Sequence, residues 1–336
     1  MKHVLYTAAC FCLPLLLLLK PSSSQNPSAA RQSLKVICLP ARPLALTVAH
    51  DQGLLSKHGV DVQTQIAANS DELRSGLAEG KFDVAHAAVD NAVAMVEKSG
   101  ADVIVVMGGE GSTNELIAQP EIHAIEDLRG RTLIVDAPNT AYAIQLKKIL
   151  LLHGIEPDRD YQIKPVGGTP ARLAAMREHK EYAASILGPP TSLLAKRDGF
   201  PSLGTTQQIL GAYQGVGAFA RKPWANENGV LLTRYIAAFI EAQRWLLNSS
   251  NKAQVVALLA REYKLPEELA NEAYSAWIVA PGGFEPDAEI SLDGFRNVLQ
   301  LRADVEHTWK GEIPKPEKYY DSAYYKAAIS LLPSRK

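Results

Sequence analysis

The sequence predicts an α/β protein made of two successive sheet-and-helix units followed by a helical tail. Three observations carry this. Short apolar runs alternate with amphipathic windows, the pattern of strand–helix units on mainly parallel sheets. Three glycines in four positions (Gly108, Gly109, Gly111) interrupt the alternation, and a second series begins beyond them. From Trp224 onward nearly every window is helical. At 336 residues the chain is long enough to bury two sizeable cores, and 47% apolar with 21% charged residues is the composition of a globular protein.

In chain order, Leu34–Leu39 reads as the first strand, and Pro40-Ala41-Arg42-Pro43 as a rigid loop because each proline fixes φ. Leu44–Lys57 is a helical window with Gly53 inside it and His58-Gly59 as its stop. Val60–Ile66 alternates as a strand. Asn69, with Glu72 three residues on, forms a capping box that opens a helix over Asp71–Ala78. Phe82–Ala85 is the next strand, Asp90–Ser99 a helix, and Val103–Met107 a buried strand.

The second series begins with strands at Glu115–Ala118 and Arg131–Val135. Asn139 or Thr140 caps a helix running to His153-Gly154, and Gln162–Val166 is the next strand. Thr169 and Pro170 suit the N-cap and first turn of a further helix, and Ala183–Leu187 closes the series before Gly188-Pro189-Pro190. Val216–Arg221 is a last strand. Helical windows follow at 228–247, 251–263, 267–278, 290–307 and 322–331. The stripe Leu231, Tyr235, Phe239, Ala242 and Leu246 on the first of these needs another surface, so it should pack back on the first unit.

The N-terminus has the layout of a secretory leader: Lys2, then an apolar run from Val4 to Leu19, then Lys20 and small polar residues to Ala30. A leader over 1–24 is expected, with a cut before Gln25 or before Arg31, and hence a periplasmic protein. A retained membrane anchor is the rival, and Pro14 and the short run weigh against it. Cys10 and Cys12 would leave with the leader, so only Cys38 remains, in an apolar strand where a free thiol behaves as a small hydrophobe. Net charge is −1, and no basic stripe stands out, so nucleic acid is not an expected partner.

In open α/β units ligands sit beyond the carboxyl ends of strands, where helix N-termini present free N–H groups. That rule selects loops. Arg42 follows the first strand and offers a forked donor for an anion, or else is a solvated surface residue. Asn69, Ser70, Asp90 and Asn91 follow the second and third strands, each with helix capping as its plain role. Gly109, Gly111 and Ser112 admit close backbone approach to a ligand or merely form a hinge. Asn139, Thr140, Gly168, Thr169 and Pro189 hold the equivalent places in the second unit, with capping or rigid turns as the plain roles. His86 follows a strand but reads better as a satisfied core histidine, and His50 and His58 as surface residues. No Gly-x-Ser-x-Gly, His-Glu-x-x-His or Gly-x-x-x-x-Gly-Lys-Ser/Thr motif is present. No catalytic residue, metal site or cofactor is therefore expected.

Leu44 to Val62, with its Ala49, Gly53-Leu54-Leu55, Lys57, Gly59 and Val60-Asp61-Val62, resembles the opening signature of the nitrate/sulfonate/taurine class of ABC-importer substrate-binding proteins. Leu77 to Ala85 and Ile125 to Val135 resemble two further segments of that family in the right order, and the likeness runs over about 34–265. Glu178 to Ala183 departs from it, since the family usually has Gly, an acidic residue and Ala there. The resemblance implies the two-lobed type II periplasmic binding fold, with 33–113 plus 223–336 as lobe 1 and 114–222 as lobe 2. It implies a monomer that captures a small molecule in the interlobe cleft and hands it to an ABC permease in the inner membrane. Arg42 leans the ligand towards a small anion such as a sulfonate, nitrate or taurine, and few aromatics fall in the selected loops. The alternatives are an enzyme on the same fold, of pyrimidine-precursor or menaquinone-pathway type, or a ligand-sensing subunit of a receptor.

Expression in a Gram-negative host should yield a periplasmic protein whose intact mass begins at Gln25 or Arg31. Retention of the full mass in the membrane fraction would show an anchor instead.

Overall fold

The computed structural model describes residues 32–334 apart from Pro40 and Asp158, together with Met1 and His3. Met1 and His3 apart, the expected leader with Cys10, Cys12 and both cut sites lies outside the described residues. Among the described residues ten strands form: β1 (Gln32–Cys38), β2 (Val60–Ile66), β3 (Val84–Ala88), β4 (Val103–Met107), β5 (Glu115–Ala118), β6 (Thr132–Val135), β7 (Gln162–Pro165), β8 (Tyr182–Leu187), β9 (Ser202–Thr205) and β10 (Val216–Arg221). They make two five-stranded sheets of order β2-β1-β3-β10-β4 and β7-β6-β8-β5-β9, both flanked by helices.

Each sheet is mixed rather than wholly parallel. β10 runs antiparallel between β3 and β4, and β5 runs antiparallel between β8 and β9. Both are the strands reached when the chain crosses from one sheet to the other, so each enters its new sheet from the opposite end. β10 belongs to the first sheet, so the return crossing comes before Val216. Sequence pattern alone shows an apolar run at Val216–Arg221 but not which sheet it joins, since both would bury it equally.

The locally encoded elements form for the expected reasons. β4, a run of Val and Ile, is buried at every position although it ends the strand order, its outer side bonded at Val105 by Tyr319 and Asp321. Asn69 caps the helix Ser70–Ala78, its Oδ1 accepting the Glu72 N–H at 2.9 Å. The helical window 44–57 divides into Leu44–Asp51 and Leu54–Lys57, because Gly53 takes φ +67 between them. Thr169 is the first helical residue of Thr169–Glu178 and Gly168 its cap, one place earlier than the sequence suggests. β9 escapes the sequence pattern: Ser-Leu-Gly-Thr at an edge buries no alternating face.

The long helix Gly229–Leu247 buries the expected stripe of Leu231, Tyr235, Phe239, Ala242 and Leu246. It packs against the helices Leu44–Asp51 and Ser322–Ser330, on the first sheet's side of the molecule. Two core residues that sequence left ambiguous are settled by this packing. His86 stacks on Phe239 with centroids 5.0 Å apart and shares a hydrogen bond of 2.6 Å with the Tyr235 hydroxyl, and burial pushes its imidazole down to about 3. It is a neutral core histidine. Cys38 is fully buried, and desolvation pushes its thiol up to about 12.

The two connections between the sheets run side by side. The Glu110 N–H donates to the Val216 carbonyl at 3.1 Å, and the Gly215 N–H donates to the Glu110 carbonyl at 3.1 Å. A Cβ at Gly215 would stand 1.8 Å from the Gly111 carbonyl oxygen, a backbone atom with nowhere to move. Gly215→Ala should therefore cost at least about 3 kcal/mol in urea denaturation. Gly229→Ala, whose methyl would meet only the Tyr324 ring at 3.5 Å, should be neutral or slightly stabilising.

Candidate functional site

A cavity opens where the two sheets face each other across the connections, with an empty volume of about 960 Å³ that includes open solvent. The first sheet contributes Leu39 and Arg42 beyond β1 and Ala88 at the end of β3. The connections contribute Glu110 to Asn114 on one side and Tyr213, Gly215 and Val216 on the other. From the second sheet come Tyr142 and Gln145, Thr169 and Pro170, and Gly188 to Thr191. Tyr263 and Trp277 reach in from the tail helices.

The helix N-termini of the second unit are arranged as α/β geometry requires. Ala141, Thr169 and Thr191, at the first positions of three helices, all line the cavity. Behind them Arg172 is fully buried and committed to the protein. It donates to Ser185 Oγ at 3.0 Å, to the Gly167 carbonyl at 2.7 Å and to the Ile186 carbonyl at 3.0 Å, and lies 5.0 Å from the Tyr142 ring centroid.

Glu110 is the unexpected member. Its backbone lies in the first connection, and its Oε2 accepts the Trp277 Nε1–H at 2.8 Å. Trp277 is held in turn between Tyr263 and Phe284, edge-on to each at 5.6 Å. It lies on a π-type turn, Tyr274–Ile278, that ends the helix Glu267–Ala273, where the sequence suggests one continuous helix to 278. Desolvation pushes the Glu110 carboxyl from 4.5 up to about 7, against the Trp277 hydrogen bond, which lowers it. Desolvation also holds the Tyr142 phenol up, at about 12, and raises Tyr213 and Tyr263.

Of the residues named from sequence, Arg42, Ser112, Thr169 and Pro189 line this cavity, as does Gly111. Arg42 is exposed at the rim. Ser70, Asn91 and Thr140 line a smaller adjoining pocket that shares Leu39, Ala88 and Tyr142 with the first. There Ser70 and Thr140 both hydrogen-bond the buried Asp136, the former at 2.9 Å, which ties the first unit to the second. The others are occupied elsewhere. Asp90 forms a buried two-pronged pair with Arg302 at 2.8 and 2.7 Å, and Arg302 also donates to the Asn139 carbonyl at 3.3 Å. Asn69 is a helix cap. Gly109 is buried, its carbonyl accepting from Gln243 Nε2 at 2.6 Å and from the Glu285 N–H at 2.9 Å.

Sequence reasoning passed over Glu110, Tyr142, Gln145, Tyr213, Tyr263 and Trp277. Glu110 had a visible signal, an acid inside the Gly-rich connection. Tyr142 and Gln145 lie in the first turns of a helix already placed at the site. Tyr263 and Trp277 belong to the tail, whose position no local pattern specifies.

Residues 36–260, more than half of the chain, match the NMT1-like family. The chain belongs to the NMT1-like family. It is 24% identical over 249 residues to the bicarbonate transport ATP-binding protein CmpC of Synechocystis, a match that covers 68% of this chain and 36% of that protein's length. The fold is that of the periplasmic nitrate-binding protein NrtA from Synechocystis, with TM-score 0.75 and 15% identity over 90% of this chain and 89% of that one. The alkanesulfonate-binding protein SsuA from Xanthomonas axonopodis, bound to MOPS, gives TM-score 0.69 and 16% identity over 87% and 98% of the two chains. The desulfurization enzyme DSZB shares the fold more distantly, with TM-score 0.61 and 13% identity over 90% and 99%. The type II periplasmic binding fold is thus the architecture of this NMT1-like chain.

A carboxyl whose folded value is raised is neutral in the native state at low pH, so the associated stability is full below about 4.5 and lost as pH rises through about 7. Between pH 5 and pH 8 the ligand-free protein should lose about 3 kcal/mol through Glu110. Glu110→Gln should remove that part of the slope in urea denaturation series run at each pH.

Proposed function

We propose that this protein is an exported solute-binding protein that captures a small molecule between two lobes and delivers it to an ABC permease. The reading rests on one observation above the rest: the cavity is walled from both sheets and from both connections between them, so occupancy and lobe closure are coupled. Membership of the NMT1-like family and the fold shared with nitrate- and alkanesulfonate-binding proteins support it. The lobes are 33–113 with 216–336, and 114–215, hinged at the paired connections. The protein acts as a monomer in the periplasm, needs no cofactor and binds no nucleic acid.

Contacts that join the lobes would accompany the closed, ligand-holding state. Beyond Ser70 with Asp136, Lys147 pairs with Glu306 at 2.9 Å and Lys148 with Asp304 at 2.8 Å, linking the helix Ala141–Leu152 to the tail helix Leu292–Glu306. These part-exposed pairs are each worth little, which suits a latch that must reopen.

A covalent mechanism on this fold would need a nucleophile with a base beside it. Among the described lining residues there is neither Cys nor His, and Ser112 Oγ faces Thr206 Oγ1 at 3.1 Å rather than a base. The lining therefore favours binding over covalent turnover.

The test is a thermal-shift screen of small organic and inorganic solutes on the mature protein, with native mass spectrometry and product analysis. A ligand at a hundredfold excess over Kd should raise Tm by roughly 5 °C or more and be recovered unchanged. Chemical conversion of the solute, or no stabilising solute in a broad screen, would overturn the reading.

A further inference from the structure

The anion suggested by Arg42 does not suit the cavity's interior. Arg42 is exposed at the rim, and the donors of Arg172 are spent on Ser185 and on main-chain carbonyls. The charged side chain that lines the interior is an acid, Glu110. A second acceptor joins it: Gln145 Oε1 is buried, lines the same cavity and has no hydrogen-bond partner. Buried acceptors without donors are costly unless a ligand supplies the donor. Around these two acceptors stand the rings of Tyr142, Tyr213, Tyr263 and Trp277, so the walls are aromatic.

We infer, resting on the solute-binding reading, that the ligand is an organic molecule with a flat or apolar body carrying a protonated nitrogen, which pairs with Glu110 inside the ring-lined cavity. The carboxylate provides the charge partner, Gln145 Oε1 takes a further N–H, and the ring faces attract the cation. Acceptor groups at the ligand's other end would meet the helix N-termini at Ala141 and Thr169. Because Glu110 titrates near 7, such a ligand gains its partner as pH rises through that value. The titratable groups coupled to Glu110 do not titrate there: Tyr142 and Tyr263 are held up as neutral phenols.

The experiment measures binding by calorimetry and thermal shift from pH 5.5 to 8.5, with benzylamine and benzamidine as cations and benzoate, benzenesulfonate and nitrate as anions. At pH 8 the cations should raise Tm and the anions should not. Benzamidine affinity should climb about tenfold per pH unit below 7 and level off above it, the signature of one proton released. Glu110→Gln should abolish cation binding at every pH. Trp277→Phe, which removes the N–H that lowers the Glu110 value, should move the midpoint upward while keeping the slope, and it keeps the test informative if Glu110→Gln fails to fold. Binding of the anions alone, a flat benzamidine profile, or silence of both cations would overturn the inference. The first two, or a stabilising solute of another class in the broad screen, would leave solute capture standing.

Discussion

Everything in this protein hangs on the place where the chain crosses twice between its sheets. Residues 108–113 leave the first sheet and 214–216 return to it, hydrogen-bonded to each other through Glu110 N–H to Val216 and Gly215 N–H to Glu110. Gln243, reaching up from the long helix, donates to the Gly109 and Glu285 carbonyls and anchors the crossing to the first unit. Gln214 Nε2 adds a bond of 3.2 Å to the Glu110 carbonyl. So close a crossing leaves no room for a Cβ at Gly215. Pairing also explains why each sheet contains one antiparallel strand.

That constraint puts a carboxylate where the sheets meet. Glu110 sits at the crossing because its backbone makes the crossing, and its side chain is then desolvated by the elements packed around it. Trp277 supplies a hydrogen bond and covers it with a ring. The Glu110 backbone thus belongs to the crossing and its side chain to the cavity.

The buried pair of Asp90 and Arg302 shows how a plausible ligand group becomes structural. Asp90 does stand at the carboxyl end of a strand, but a residue from the tail, 212 positions away in sequence, takes both of its oxygens. Removing either partner alone would strand a buried charge, so the pair fixes the tail helix Leu292–Glu306 on the first unit. Ser70 and Thr140 are spent in a similar way on Asp136.

The strand–helix alternation, the caps at Asn69 and Thr140, the apolar stripe on Gly229–Leu247 and the Gly-rich break were legible in the sequence because each is a contact within a few residues or a periodicity of one element. The loops at Arg42, Ser112, Thr169 and Pro189 were legible too, since they follow from strand ends. Which sheet β10 joins, which polar loop residues are consumed by partners far along the chain, and which rings of the tail reach the cavity were decided by tertiary packing. Asp90 and Arg302, or Glu110 and Trp277, carry no mark of each other in sequence: their pairing depends on burial, and burial is a property of the assembled fold.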